Sequence, residues 1–152
     1  PEFKDRFLER ECYFLDASGF IFDKSPQFSS GVYFTFYSKI NEGDPIGQYV
    51  LDFEFLKNIN LLVEAVEDKG LPVHSLVEKE DGQYELLLNM ETTLSDFPKL
   101  LFTSDQTIDE VYNKFLSIVD ENPFKKDFLE KREKLEYIDA RFKNRIFYRF
   151  AE

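Results

Sequence analysis

The sequence predicts an α+β fold: a mostly antiparallel sheet, two main helices packed on one of its faces, and a long C-terminal strand at or near a free edge. Three observations carry that expectation. Apolar residues recur at helical spacing from Gln48 to Lys69 and again after Thr107, an Asp81-Gly82 pair separates two β-rich runs, and the last residues alternate with period two. With 18 Phe and 8 Tyr among 152 residues, the chain has enough large apolar surface to build a core, so its 32% charged residues do not imply disorder. Neither a repeat nor a linker divides it. Residues 1 to 11 are expected to form a lead-in, and residues 12 to 152 a single domain.

The elements follow in order. Cys12–Leu15 and Gly19–Phe22, joined by Asp16-Ala17-Ser18, read as a tight hairpin. Pro26 to Ser30 reads as loop, and Val32–Tyr37, β-branched and aromatic throughout, as a strand broken by Asn41-Glu42-Gly43-Asp44-Pro45. Leu51, Phe55, Ile59, Leu62 and Val66 then mark one helical stripe, which Gly70-Leu71-Pro72 terminates. Val73–Glu78 and Gln83–Asn89 flank Asp81-Gly82, the dipeptide that favours a type I′ turn, and form a second hairpin. A short strand is expected near Leu100–Phe102. Thr107-Ile108-Asp109-Glu110 is a capping box opening a second helix that stops before Pro123, and Lys125–Lys134 is a charged helical segment.

Composition excludes several functions. A net charge of -11, from 30 acids and 19 bases, opposes nucleic-acid binding, whose affinity comes from cations neutralising phosphates. The aromatic strand Gly31–Tyr37 has the look of a base-stacking strand of an RNA-recognition domain but lacks basic neighbours, so it reads as a sheet strand. Cys12 is the only cysteine and His74 the only histidine, which removes intramolecular disulfides, Cys/His metal sites and Cys/His dyads. No Gly-x-Ser-x-Gly elbow and no phosphate-cradling glycine loop occurs. Carboxylate pairs such as Asp52/Glu54 and Glu78/Glu80/Asp81 read as solvated faces in so acidic a chain. No catalytic residue, metal site or cofactor is expected. No run approaches the ~20 apolar residues of a membrane span.

The C-terminal run Leu135–Phe150 reads as one half-buried strand. Ile138, Ala140, Phe142, Asn144, Ile146, Tyr148 and Phe150 share one face; Tyr137, Asp139, Arg141, Lys143, Arg145, Phe147 and Arg149 share the other. From Arg141 to Arg149 that second face carries four cations and no acid, against the sign of the whole chain. Such a stripe either guards a free sheet edge against aggregation or docks something acidic.

Leu135-Glu136-Tyr137-Ile138-Asp139-Ala140-Arg141-Phe142-Lys143-Asn144-Arg145-Ile146-Phe147-Tyr148-Arg149 resembles the terminal Tyr-Ile-Asp-Leu-Arg-Phe-x-Asn-Arg-Val signature of the FtsQ/DivIB bacterial cell-division family. Phe14-Leu15-Asp16-Ala17-Ser18-Gly19-Phe20-Ile21-Phe22 resembles the hairpin that opens that family's β domain. Ala140 departs from the usual Leu. The likeness spans roughly residues 12 to 150 and implies an excised β domain, lacking the polypeptide-transport-associated domain and membrane anchor that precede it in the family. It further implies a non-catalytic scaffold on the outer face of the cytoplasmic membrane, which holds FtsB/FtsL-like coiled-coil partners and helps regulate septal peptidoglycan synthesis. In that family the last strand offers its edge to a partner segment. Arg141, Lys143, Arg145 and Arg149 would then pair with acidic partner side chains, with Phe147 as the apolar anchor. A small-ligand-binding module and an α+β enzyme using surface carboxylates are the alternatives.

Overall fold

The structure, a computed structural model, describes residues 11–26, 34–39 and 42–152. The expected loop at 27–30, Val32 and Tyr33 of the expected aromatic strand, Asn41, and all of the lead-in before Glu11 lie outside these residues.

Strands β1 (Cys12–Leu15) and β2 (Ile21–Ser25) form the expected hairpin. Its turn is tied by the Asp16 carboxylate, whose Oδ1 accepts the backbone N–H groups of Ser18 at 2.8 Å and Phe20 at 3.1 Å. Gly19 adopts φ 84°, and a Cβ there would stand 2.1 Å from the Leu51 carbonyl oxygen, so only glycine permits this close approach. The segment before the first helix lies along β2: Val50 N donates to Gly19 O at 3.0 Å and Ile21 N to Gln48 O at 2.9 Å. This is why α1 (Phe53–Asp68) starts later than its apolar stripe suggests. Leu51 is held against the hairpin, and Asp52 caps the helix by accepting from Glu54 N.

Beyond α1 come β3's partner strands. β3 (Thr35–Tyr37) pairs with β4 (Val73–Glu78), which turns through Asp81 (φ 59°) and Gly82 (φ 70°) into β5 (Gln83–Leu88). Those consecutive positive φ values are what a type I′ turn requires. β6 (Lys99–Thr103) follows, then α2 (Ile108–Val119), whose Thr107 side chain accepts from Glu110 N at 3.2 Å. A short third helix, α3 (Phe124–Lys131), leads to β7 (Leu135–Asp139) and β8 (Phe147–Phe150).

The large sheet has the order β3-β4-β5-β6-β7-β8. β3/β4 and β6/β7 are parallel; the other three neighbours are antiparallel. Each parallel pair needs a crossover, α1 for the first and α2 with α3 for the second. Register aligns one apolar residue from every strand: Phe36, Leu76, Leu86, Leu100, Ile138 and Tyr148 are successive partners across the whole sheet. This row faces the helices, where Ile59, Leu62 and Val66 of α1 and Val111, Phe115 and Val119 of α2 complete the core. The expected fold class is the observed one, with helices layered on that face.

One element differs. The run expected as a single long strand is a hairpin, β7 and β8 joined through Ala140–Ile146, with Asn144 at φ 57° in its turn. A single strand of that length would project far past neighbours of five and six residues and expose its apolar side chains. Folding back places Tyr148 and Phe150 on Phe124 of α3, at ring distances of 5.0 and 5.7 Å. A bulge at Glu136 adjusts the register, and the predicted division of faces holds within the paired strands, where Ile138 opposes Tyr148 and Asp139 opposes Phe147, but not in the loop, where Phe142 is exposed.

Phe115 is fully buried between α2 and the sheet. Phe115→Ala is expected to lower the unfolding free energy by about 3–5 kcal/mol. Urea denaturation checks this; a loss below about 1 kcal/mol would contradict a packed helix layer at that point.

Candidate docking edge at the C-terminal hairpin

β8 is the last strand of the sheet, so one of its sides has no neighbour among the described residues. In an antiparallel pair a residue sends its N–H and C=O the same way, and the direction alternates along the strand. The Ala151 N–H donates to Lys134 O at 2.8 Å, toward β7. Arg149 and Phe147 share that direction by alternation, which turns the backbone groups of Tyr148 and Phe150 outward. The edge is therefore a row of available donors and acceptors.

Its side chains divide by face. Tyr148 and Phe150 lie half-buried against Phe124, and Lys131 Nζ sits 5.6 Å from the Phe150 ring centre. On the other face Phe147 is 46% exposed and meets Phe142, 48% exposed, edge-on at 5.2 Å. The two rings together give this face a small exposed apolar patch.

The five residues expected to form the basic stripe do not act alike. Arg141 is committed internally: Nε and Nη2 grip the two oxygens of Asp139 at 2.8 and 2.7 Å, and Nη1 reaches Gln83 Oε1 at 3.2 Å. Asp139 is only 5% exposed, so this bidentate pair supplies the charge partner its carboxylate requires. The same hydrogen bonds raise the Arg141 pKa above its usual value. Arg149 meets Glu136 at 2.8 Å while its side chain stays 61% exposed. Lys143 and Arg145 are exposed in the β7–β8 loop, with no side-chain hydrogen bond or ion pair among the described residues. Phe147 stands between them and Arg149. Of the five, Lys143, Arg145, Phe147 and Arg149 are exposed, while Arg141, one-third exposed, is bound to Asp139 and Gln83.

Phe142 is the residue the alternation pattern misplaced, because the fold-back turns it away from the buried face. The signal for it was Lys143-Asn144, since Asn is among the few residues that readily take a left-handed turn conformation. Two further contributors carry no local sign: Lys114 Nζ on α2 donates to the carbonyls of Ala140 (3.0 Å) and Phe142 (2.5 Å), and Gln106 Nε2 donates to Ala140 O at 2.7 Å.

Other chemistry-bearing residues lie apart from this edge. Cys12 is in β1, while His74, in β4, stacks on Phe97 at 4.7 Å with Nδ1 2.9 Å from Ser75 Oγ. Among the described residues, no group of three or more His, Cys, Asp or Glu side chains is arranged to hold a metal, and no helix is long and apolar enough to cross a membrane. An open groove of about 250 Å³ runs along α1 past Phe53, Lys57 and Leu61 to Ala17, smaller than the several hundred Å³ usual for small-ligand sites.

Arg141→Ala strands the buried Asp139 carboxylate and is expected to destabilise the fold by about 2–3 kcal/mol. Arg145→Ala is expected to stay within about 0.5 kcal/mol. Thermal unfolding of both variants checks the contrast, and equal effects would contradict the division of roles. No protein-family model and no curated protein sequence matches the chain.

Proposed function

We propose that this domain is a non-catalytic scaffold that captures an extended partner segment along β8 by adding a strand to the sheet. The observation that carries the reading is the coincidence, on one short edge, of outward backbone groups at Tyr148 and Phe150, an exposed Phe142–Phe147 ring pair, and the unpaired cations Lys143 and Arg145. Backbone bonding supplies affinity without choosing a sequence; the rings and cations choose it. A partner with acidic side chains beside an apolar anchor complements them.

Together with the resemblance of Tyr137–Ile146 to the terminal FtsQ/DivIB signature, this supports a divisome component. Its partners would be FtsB/FtsL-like proteins, its place the outer face of the cytoplasmic membrane. Its role would be to help regulate septal peptidoglycan synthesis. Edge protection and edge offering are compatible here, since loop cations that repel a second copy attract an acidic strand.

Calorimetric titration with the extracytoplasmic segment of the FtsB-like protein from the same organism tests the proposal. Saturable binding is expected, weakened about tenfold or more by Phe147→Ala and several-fold by Arg145→Glu, the latter difference shrinking as salt rises. Affinity indifferent to both substitutions in folded variants would overturn the placement of the site.

A further inference from the structure

The β7–β8 loop is anchored from the helix layer at its start, and at its end Ile146 packs against the core. Ala140 N donates to Leu101 O at 2.9 Å, and Ala140 O receives two donors, Gln106 Nε2 at 2.7 Å and Lys114 Nζ at 3.0 Å. Phe142 O receives Lys114 Nζ at 2.5 Å, its other bond being a long turn contact from Arg145 N at 3.4 Å. The two side chains are therefore not equivalent. Gln106 duplicates a bond that Ala140 keeps without it, whereas Lys114 alone among side chains reaches the residue whose ring stands against Phe147. An ammonium also holds a carbonyl more strongly than an amide does.

We propose that Lys114, on α2, is a positioning residue for the docking edge: it fixes the Phe142 backbone and so presets the Phe142–Phe147 pair in the arrangement a partner binds. The inference rests on the reading of β8 as a docking strand and adds to it a determinant outside the edge itself. Its physical content is preorganisation. A loop already held in its bound form loses less conformational freedom on association, so releasing it weakens binding without removing any contact to the partner. The three charged groups that follow or flank the rings, Lys143, Arg145 and Arg149, would lose their fixed relation to the rings at the same time.

The experiment compares Lys114→Met, Lys114→Arg and Gln106→Ala in the full chain, with Phe147→Ala as reference. It reads amide hydrogen exchange, thermal stability and titration with the FtsB-like extracytoplasmic segment. Lys114→Met is expected to speed exchange at residues 141 to 147 while leaving the interior of α2 and β5 protected, and to weaken partner affinity about tenfold. Lys114→Arg restores both, because a guanidinium also donates to two carbonyls. Gln106→Ala, which also loses the bond to Thr103 N at 3.0 Å, lowers the melting temperature yet leaves affinity within about twofold. A merely structural tie predicts the opposite, with affinity tracking stability across all variants. If Phe147→Ala weakens binding while Lys114→Met changes neither exchange nor affinity, the positioning role is overturned and the docking strand stands. If the unaltered chain fails to bind the segment, or Phe147→Ala leaves affinity unchanged, the docking reading fails and takes the positioning role with it.

Discussion

The apolar row that runs from Phe36 through Leu76, Leu86, Leu100 and Ile138 to Tyr148 sets the terms for everything else in this domain. Side chains alternate along a strand, so a slip of one residue in any pairing would send that strand's apolar set to the wrong face and leave α1 or α2 resting on polar groups. The row thus holds six strands in one register. Two parallel pairings within it oblige α1 and the α2–α3 segment to cross over the sheet, and both land on the face the row presents.

The same constraint explains why the chain ends as a hairpin. Once β7 is placed beside β6, Ile138 occupies the row and Asp139 turns to the opposite face, where its buried carboxylate requires a cation. Arg141 meets that need from the chain's own next turn. The reversal at Asn144 then returns Tyr148 to the row and Phe150 to the ring of Phe124. An alternating segment too long for its sheet satisfies its apolar face by doubling back.

What the doubling back leaves outside is as consequential as what it buries. β8 becomes the last strand, only four residues long, with Arg149 on it and Lys143 and Arg145 in the loop before it. Short length and cations are how sheets keep an edge from pairing with copies of itself. In a chain of net charge -11 the same cations form a local field of opposite sign. Two exposed rings lie on the same hairpin, and Lys114, donating from α2, holds the carbonyls of Ala140 and Phe142.

The sequence by itself determined the fold class, both main helices, the Asp81-Gly82 turn and the faces taken by Ile138, Asp139, Phe147 and Tyr148 in the paired part of the C-terminal run. All of these rest on local patterns: side-chain periodicity, a capping residue, or a dipeptide that tolerates positive φ. Only the tertiary structure decided that Leu135–Phe150 folds on itself, that Arg141 is bound to Asp139 and Gln83 rather than offered to solvent, and that Phe142 is exposed against Phe147. Lys114 and Gln106 became part of the edge in the same way, through contacts 26 to 34 residues distant in the chain. Period-two alternation says which side chains share a face, but not how long a strand can run before its sheet ends. Nor does it say which charges find each other once strands far apart in sequence are brought into register.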